Sequence, residues 1–139
     1  MKIFFAALAL LGAVNCQAQS VQAQSVMDGS DKGLSSNDRA GLMKILRANL
    51  ADPFGSQLME LTSPAAGTVC GSYNAKNTAG GFVGFRPFLA KMDDSSFTVV
   101  LPQIQVNERS SPELLQAALD RARQNLSALK SLESTCAQR

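Results

Sequence analysis

The chain of 139 residues has no histidine, no tryptophan and a single tyrosine, and only 17% of it is charged. Without histidine it lacks the side chain that titrates near neutrality and most often serves as general base or zinc ligand. No set of cysteines and carboxylates has zinc-site spacing, no glycine-rich loop precedes a helix in the phosphate-binding manner, and no G-x-S-x-G string occurs. The adjacent pair Asp93-Asp94 falls on a turn, where neighbouring carboxylates point apart and stay solvated. No metal or cofactor is therefore expected. An excess of one charge is missing too: 13 Lys+Arg against 11 Asp+Glu leave a net +2, and the basic residues are scattered. That excludes nucleic acid as an expected partner. What is present fits one folded domain, since 45% of residues are hydrophobic and the length suits a single core.

The long apolar run is at the N-terminus. Met1-Lys2 precedes Ile3 to Val14, which is too short for a bilayer span of roughly 20 residues and suits the apolar core of a signal peptide. Small residues follow at Cys16-Gln17-Ala18 and again at Val21-Gln22-Ala23. Residues 1–18 are thus expected to be a leader cleaved after Ala18, with Ala23 as a second position, leaving no integral membrane span. A periplasmic or secreted protein follows. The lesser alternative is a lipoprotein anchored through Cys16, although Asn15 stands where a small residue is wanted. Removal of Lys2 lowers the formal charge from +2 to +1. Residues 19–35, which follow with a duplicated QAQSV unit and little to bury, are expected to be flexible.

Residues 36–139 carry the domain. Ser36 to Ala51 has Leu42, Ile45, Leu46 and Leu50 at helical spacing, Ser36 as N-cap and Asp38 in the first turn, and Asp52-Pro53 ends it. Gln57 to Leu61 reads as a short strand closed by Ser63-Pro64. Thr68 to Lys76 alternates, with Val69, Gly71, Tyr73 and Ala75 on one face and Cys70, Ser72, Asn74 and Lys76 on the other. A turn at 77–80 returns the chain as a strand over Gly81 to Lys91, with Pro87 at an edge or bulge. Ser96 to Leu101 is a further strand, and Gln103 to Val106 is its extension or another. Finally Ser111 caps a long helix opened by Pro112 and Glu113. Its stripe of Leu115, Ala118, Leu119, Ala122, Leu126, Leu129 and Leu132 is expected to pack on the sheet. The fold expected is α+β: a small antiparallel sheet of three to four strands packed by an N-terminal helix and a long C-terminal helix.

With Cys16 lost in the leader, Cys70 and Cys136 remain, and in an oxidising compartment two such cysteines most simply pair. The competing reading, a reactive thiol at Cys70, has no histidine to activate it.

Residues 69–88 stand out from ordinary hairpin composition. Cys70-Gly71, Asn74, Lys76-Asn77, Gly80-Gly81-Phe82 and Gly84-Phe85 form a C-G-x-x-N-x-K-N string followed by G-G-[aromatic]-x-G-[aromatic]. Upstream, Asp52-Pro53-Phe54-Gly55-Ser56 forms D-P-x-x-S. Over roughly residues 40 to 90 the sequence resembles a family of small, exported, largely uncharacterised bacterial proteins. The resemblance implies export and a hairpin, and no particular reaction.

Asparagine amides and cationic side chains together suit a carboxylate, phosphate or carbonyl group, so Asn74, Lys76, Asn77 and Arg86 are the candidate binding residues. Against this stands a purely structural use, with Asn77 shaping the turn, Asn74 satisfying backbone groups, and Phe82, Phe85 and Phe88 in the core. The expected function is a non-enzymatic envelope protein that binds an envelope protein or a small polar ligand. The alternatives are a secreted inhibitor or host-directed factor, and a small enzyme using Lys76 or Tyr73.

Overall fold

The structure, a computed structural model, describes residues 25–137. The expected leader, its two cleavage positions and Cys16 lie outside these residues. The elements in chain order are β1 (Ser25–Val26), a 3-10 turn (Ser30–Gly33), α1 (Ser36–Asn49), β2 (Gln57–Ala65), β3 (Thr68–Asn74), β4 (Arg86–Lys91), β5 (Ser96–Val99) and α2 (Pro112–Cys136). β2 to β5 form an antiparallel meander, and β1 adds a two-residue parallel edge to β2. The fold is α+β, with one helix on each face of the sheet.

Alternation along the strands separates the two faces. Val69 and Tyr73 of β3 and Phe88 and Ala90 of β4 pack with Leu42, Ile45 and Leu46 of α1. Tyr73, Phe88 and Phe97 meet edge-on or tilted, with ring centroids 5.5–6.3 Å apart, the geometry the ring quadrupoles favour. Cys70 and Leu89 point to the other face and pack with Leu132 and Cys136 of α2. Cys70 and Cys136 are bonded, which ties the end of α2 to the central strands. Gly71 leaves no room for a side chain: a Cβ there would come within 2.6 Å of Leu61 Cδ2 and 3.1 Å of the Met59 carbonyl oxygen.

The helix starts follow side-chain chemistry. α1 begins one residue earlier in its cap than expected, on Ser35, whose Oγ accepts from the Asp38 amide at 3.0 Å. Asp38 returns the bond by accepting from Ser35 Oγ at 2.8 Å and also accepts from the Gly67 amide at 2.9 Å, joining α1 to the β2–β3 turn. α2 is capped by Ser111 with Pro112 in its first turn, as expected.

Several expectations change. β2 does not stop before Ser63-Pro64 but runs to Ala65, with register shifts on both sides of Thr62 accommodating the proline. The return strand does not start at Gly81; β4 begins at Arg86, and an isolated bridge between Lys76 and Phe82 is all the pairing before it. Pro87 stands opposite Ser72 but beyond the reach of β5, whose pairing starts at Phe88, so no ladder bond is lost on that side. β5 ends at Val99, and residues 103–106 form no strand. Within the segment expected to be flexible, residues 25–34 are built onto the sheet edge. Asp28 Oδ2 accepts from the Glu60 amide at 2.7 Å and Ser30 Oγ from the Leu61 amide at 2.9 Å, serving a bulge where Glu60 has φ 56°. Leu34 is buried in the core.

The largest correction concerns α2. Its buried residues are Asn125, Ala128 and Leu132, while Leu115, Leu119, Leu126 and Leu129 of the expected packing stripe are exposed. The helix is rotated because Asn125 is an anchor. Its Oδ1 accepts from the Leu101 amide at 2.8 Å and its Nδ2 donates to the Leu101 carbonyl at 2.9 Å, replacing a strand neighbour for the chain leaving β5. No described helix is long and apolar enough to cross a membrane.

Candidate functional site: the β3–β4 loop

β2 begins at Gln57, opposite Asn74 where β3 ends, and β4 begins at Arg86, opposite Tyr73. The α1–β2 loop and the β3–β4 loop therefore leave the same end of the sheet. The D-P-x-x-S string is a self-contained turn there. Asp52 Oδ1 accepts from the Gly55 amide and the buried Ser56 hydroxyl donates to the Asp52 carbonyl, both at 2.8 Å. Phe54 at its apex is 52% exposed, under the Arg47 guanidinium at 5.2 Å from the ring centroid.

The β3–β4 loop, residues 75–85, is held from beneath by its own asparagines. Asn74 is buried; its Nδ2 donates to Gln57 Oε1 at 3.1 Å and its Oδ1 accepts from the Gly84 amide at 2.9 Å. Gly84 has φ 94°, a conformation that glycine alone adopts without strain. Asn77 closes the tip: its Oδ1 accepts from the amides of Ala79 and Gly81, each at 3.0 Å, and its amide donates to the Gly81 carbonyl at 2.8 Å. Val83 donates to the Ala75 carbonyl at 3.1 Å. The loop thus has a fixed path although little regular pairing supports it.

The four candidate residues consequently fall into two groups. Asn74 and Asn77 turn their side-chain oxygens to amides of the loop itself, and Asn74 Nδ2 also ties it to Gln57 of β2. Lys76 is exposed, with its ammonium 5.3 Å from the centroid of the Phe82 ring, and Arg86 is half-buried at the loop's exit. Among the described residues neither cation has a carboxylate within ion-pair distance; the one ion pair is Arg123–Asp120 on α2. Tyr73, the other residue considered for chemistry, lies in the aromatic core, and burial pushes its phenol above the ordinary value against a smaller opposing pull from Arg86.

The structural alternative read from the sequence has Phe82, Phe85 and Phe88 in the core, with Phe82 and Phe88 on one strand face and Phe85 on the other, so that both faces are buried or one aromatic is exposed. Only Phe88 is there, fully buried, whereas Phe82, Val83 and Phe85 are 46%, 43% and 42% exposed. The misplacement follows from treating residues 81–85 as strand, whose alternation would have buried part of them. The composition did hold a signal, because three glycines within 80–84 contradict a regular strand.

A shallow recess of about 170 Å³ lies elsewhere, beside the disulfide, lined by Glu60, Ser72, Pro87 and Leu132 among others. Ser72 Oγ donates to Glu60 Oε2 across it at 3.3 Å. Among the described residues no group of histidine, cysteine, aspartate and glutamate is placed to hold a metal ion. Compared with models of protein families, with curated proteins and with solved structures, the chain matches none.

Proposed function

We propose that this chain is an exported, non-catalytic binding module that offers its β3–β4 loop to an envelope partner. The observation that carries the reading is the pairing of a tied loop backbone with exposed apolar side chains. Asn74 and Asn77 fix the path of the loop, and Phe82, Val83 and Phe85 project from it with Lys76 and Arg86 on either side. A loop whose backbone is already ordered loses little conformational freedom on binding, and aromatic residues are favoured anchors of interfaces. Both side-chain polar atoms of Asn74 and the Oδ1 of Asn77 are bonded within the protein, so recognition falls chiefly to the aromatic and cationic groups. That favours a protein partner over a small polar ligand.

The leader-like N-terminus and the Cys70–Cys136 bridge support an oxidising compartment outside the cytoplasm. Capture from cross-linked cell envelopes tests the function. The wild-type chain retains a partner that the Phe82→Ser, Phe85→Ser double variant loses at unchanged thermal stability. Equal capture by the double variant contradicts the reading.

A further inference from the structure

We propose that the α1–β2 turn completes the binding surface, and that the partner presents an acidic segment whose carboxylates stand beside apolar side chains. This rests on the β3–β4 loop being the surface that binds. The D-P-x-x-S turn has its own fixed path, closed by the Asp52–Gly55 and Ser56–Asp52 hydrogen bonds, and it holds Phe54 out at 52% exposure. It is also tied to the loop. Gln57, the residue after the turn, accepts from Asn74 Nδ2 at 3.1 Å, and Asn74 Oδ1 accepts from the Gly84 amide at 2.9 Å. One buried asparagine thus joins both segments, whose bases stand on neighbouring strands about 5 Å apart. Phe54, Phe82, Val83 and Phe85 are all exposed at this end of the sheet.

Charge identifies the occupant. Residues 47–57 and 74–86 contain three cations, Arg47, Lys76 and Arg86, and one acid, Asp52. One oxygen of Asp52 is already engaged by the Gly55 amide. Among the described residues none of the three cations has a carboxylate within ion-pair distance. Two of them lie over aromatic rings, Arg47 at 5.2 Å from the Phe54 centroid and Lys76 at 5.3 Å from that of Phe82. A neutral ring attracts a cation without cancelling its charge, and both head groups still have N–H donors to offer a carboxylate. Each pair is therefore a half-site for one apolar group and one carboxylate. The opposite end of the sheet, at the start of α1 and the β2–β3 and β4–β5 turns, carries Asp38, Asp93 and Asp94 with Arg39 and Lys91. The positive excess thus belongs to the end that bears the aromatic residues. A bilayer fits that end less well, because sinking either ring into hydrocarbon draws a cation in with it at high cost. An acidic protein segment meets the cation at the level of the ring.

The test selects peptides from a random dodecapeptide library on the protein purified from the compartment where it accumulates. An enriched peptide is then synthesised and titrated against the wild type, Phe54→Ser, Arg47→Gln and the Phe82→Ser, Phe85→Ser double variant, each shown by thermal unfolding to keep its fold. The expected peptides are net negative, with Asp or Glu next to Phe, Leu or Trp. Their affinity is expected to fall about tenfold in both Phe54→Ser and Arg47→Gln, and to weaken as salt is raised. Enriched peptides without acidic residues overturn the inference, as does equal binding by Phe54→Ser and Arg47→Gln. In either case, loss of binding in the loop double variant shows that the loop still binds, so the function proposed above survives. Binding untouched by the double variant contradicts that function and this inference together. No enrichment overturns the inference, and so does retention on vesicles of equal parts phosphatidylethanolamine and phosphatidylglycerol without any selected peptide, which assigns the surface to lipid.

Discussion

The buried side chain of Asn74 accepts a hydrogen bond from the amide of Gly84, ten residues further along, at 2.9 Å. This side-chain amide at the end of β3 thereby fixes the far side of a loop that is otherwise held by the Asn77 bonds at its tip and one isolated bridge. Asn74→Ala removes both this bond and the one to Gln57. The expected loss is about 1–2 kcal/mol of stability, together with faster amide hydrogen exchange across residues 80–85. Lys76→Ala at the exposed neighbouring position is expected to change stability by less than about 0.5 kcal/mol. Chemical denaturation of the two variants separates the residue that builds the loop from the one that decorates it.

Asn125 does for α2 what Asn74 does for the loop, by pairing with both backbone groups of Leu101. Asn125→Ala leaves that amide and carbonyl without their partner and is expected to cost about 1–3 kcal/mol. Asn125→Leu, although more apolar, is expected not to restore stability in thermal unfolding. Leu129→Ala, on the exposed side, is expected to be nearly neutral in the isolated chain.

These two asparagines also explain how much of the molecule was legible in its sequence. Both helices, the Ser111 cap, the β2–β5 order and the Cys70–Cys136 pair follow from periodicity, capping chemistry and cysteine parity. The face of α2 that packs does not, because hydrophobic periodicity reads the leucine row as core and gives Asn125 no packing role. Only the tertiary contact with Leu101 reverses that. Likewise Asn74 and Asn77 were recognisable as special, but amides that bind a ligand and amides that bind their own backbone have the same sequence. The exposure of Phe82 and Phe85 depends on where β4 starts, and Gly80, Gly81 and Gly84 set that boundary more firmly than the aromatic residues between them.

The Cys70–Cys136 bridge closes a loop with a sequence separation of 66 residues. Chain entropy gives such a cross-link about 4 kcal/mol of stabilisation. In a domain this small that is a large share of the whole. The double variant Cys70→Ser, Cys136→Ser is expected to unfold at markedly lower denaturant concentration, and thiol labelling of the native wild type is expected to find neither cysteine free.

Acid should weaken the junction between α1 and the β2–β3 turn. The Ser35 hydroxyl, and then the Gly67 amide, hold the Asp38 carboxyl below its ordinary value. A carboxyl lowered on folding contributes stability that is complete above its unfolded pKa of about 3.9 and is lost as pH falls through the folded value. Denaturation midpoints of wild type and Asp38→Asn are therefore expected to differ at neutral pH and to converge below about pH 4. A constant difference through that range would remove Asp38 as the cause.

The central claim is that the β3–β4 loop is the binding surface. A photo-activatable cross-linking residue at Val83, with the same residue at exposed Glu108 in the β5–α2 connection as comparison, tests it in living cells. The expected result is a discrete adduct of defined mass from position 83 that is absent from position 108 and disappears when Phe82 and Phe85 are both serine. No adduct at position 83, or the same adducts from both positions, would contradict it.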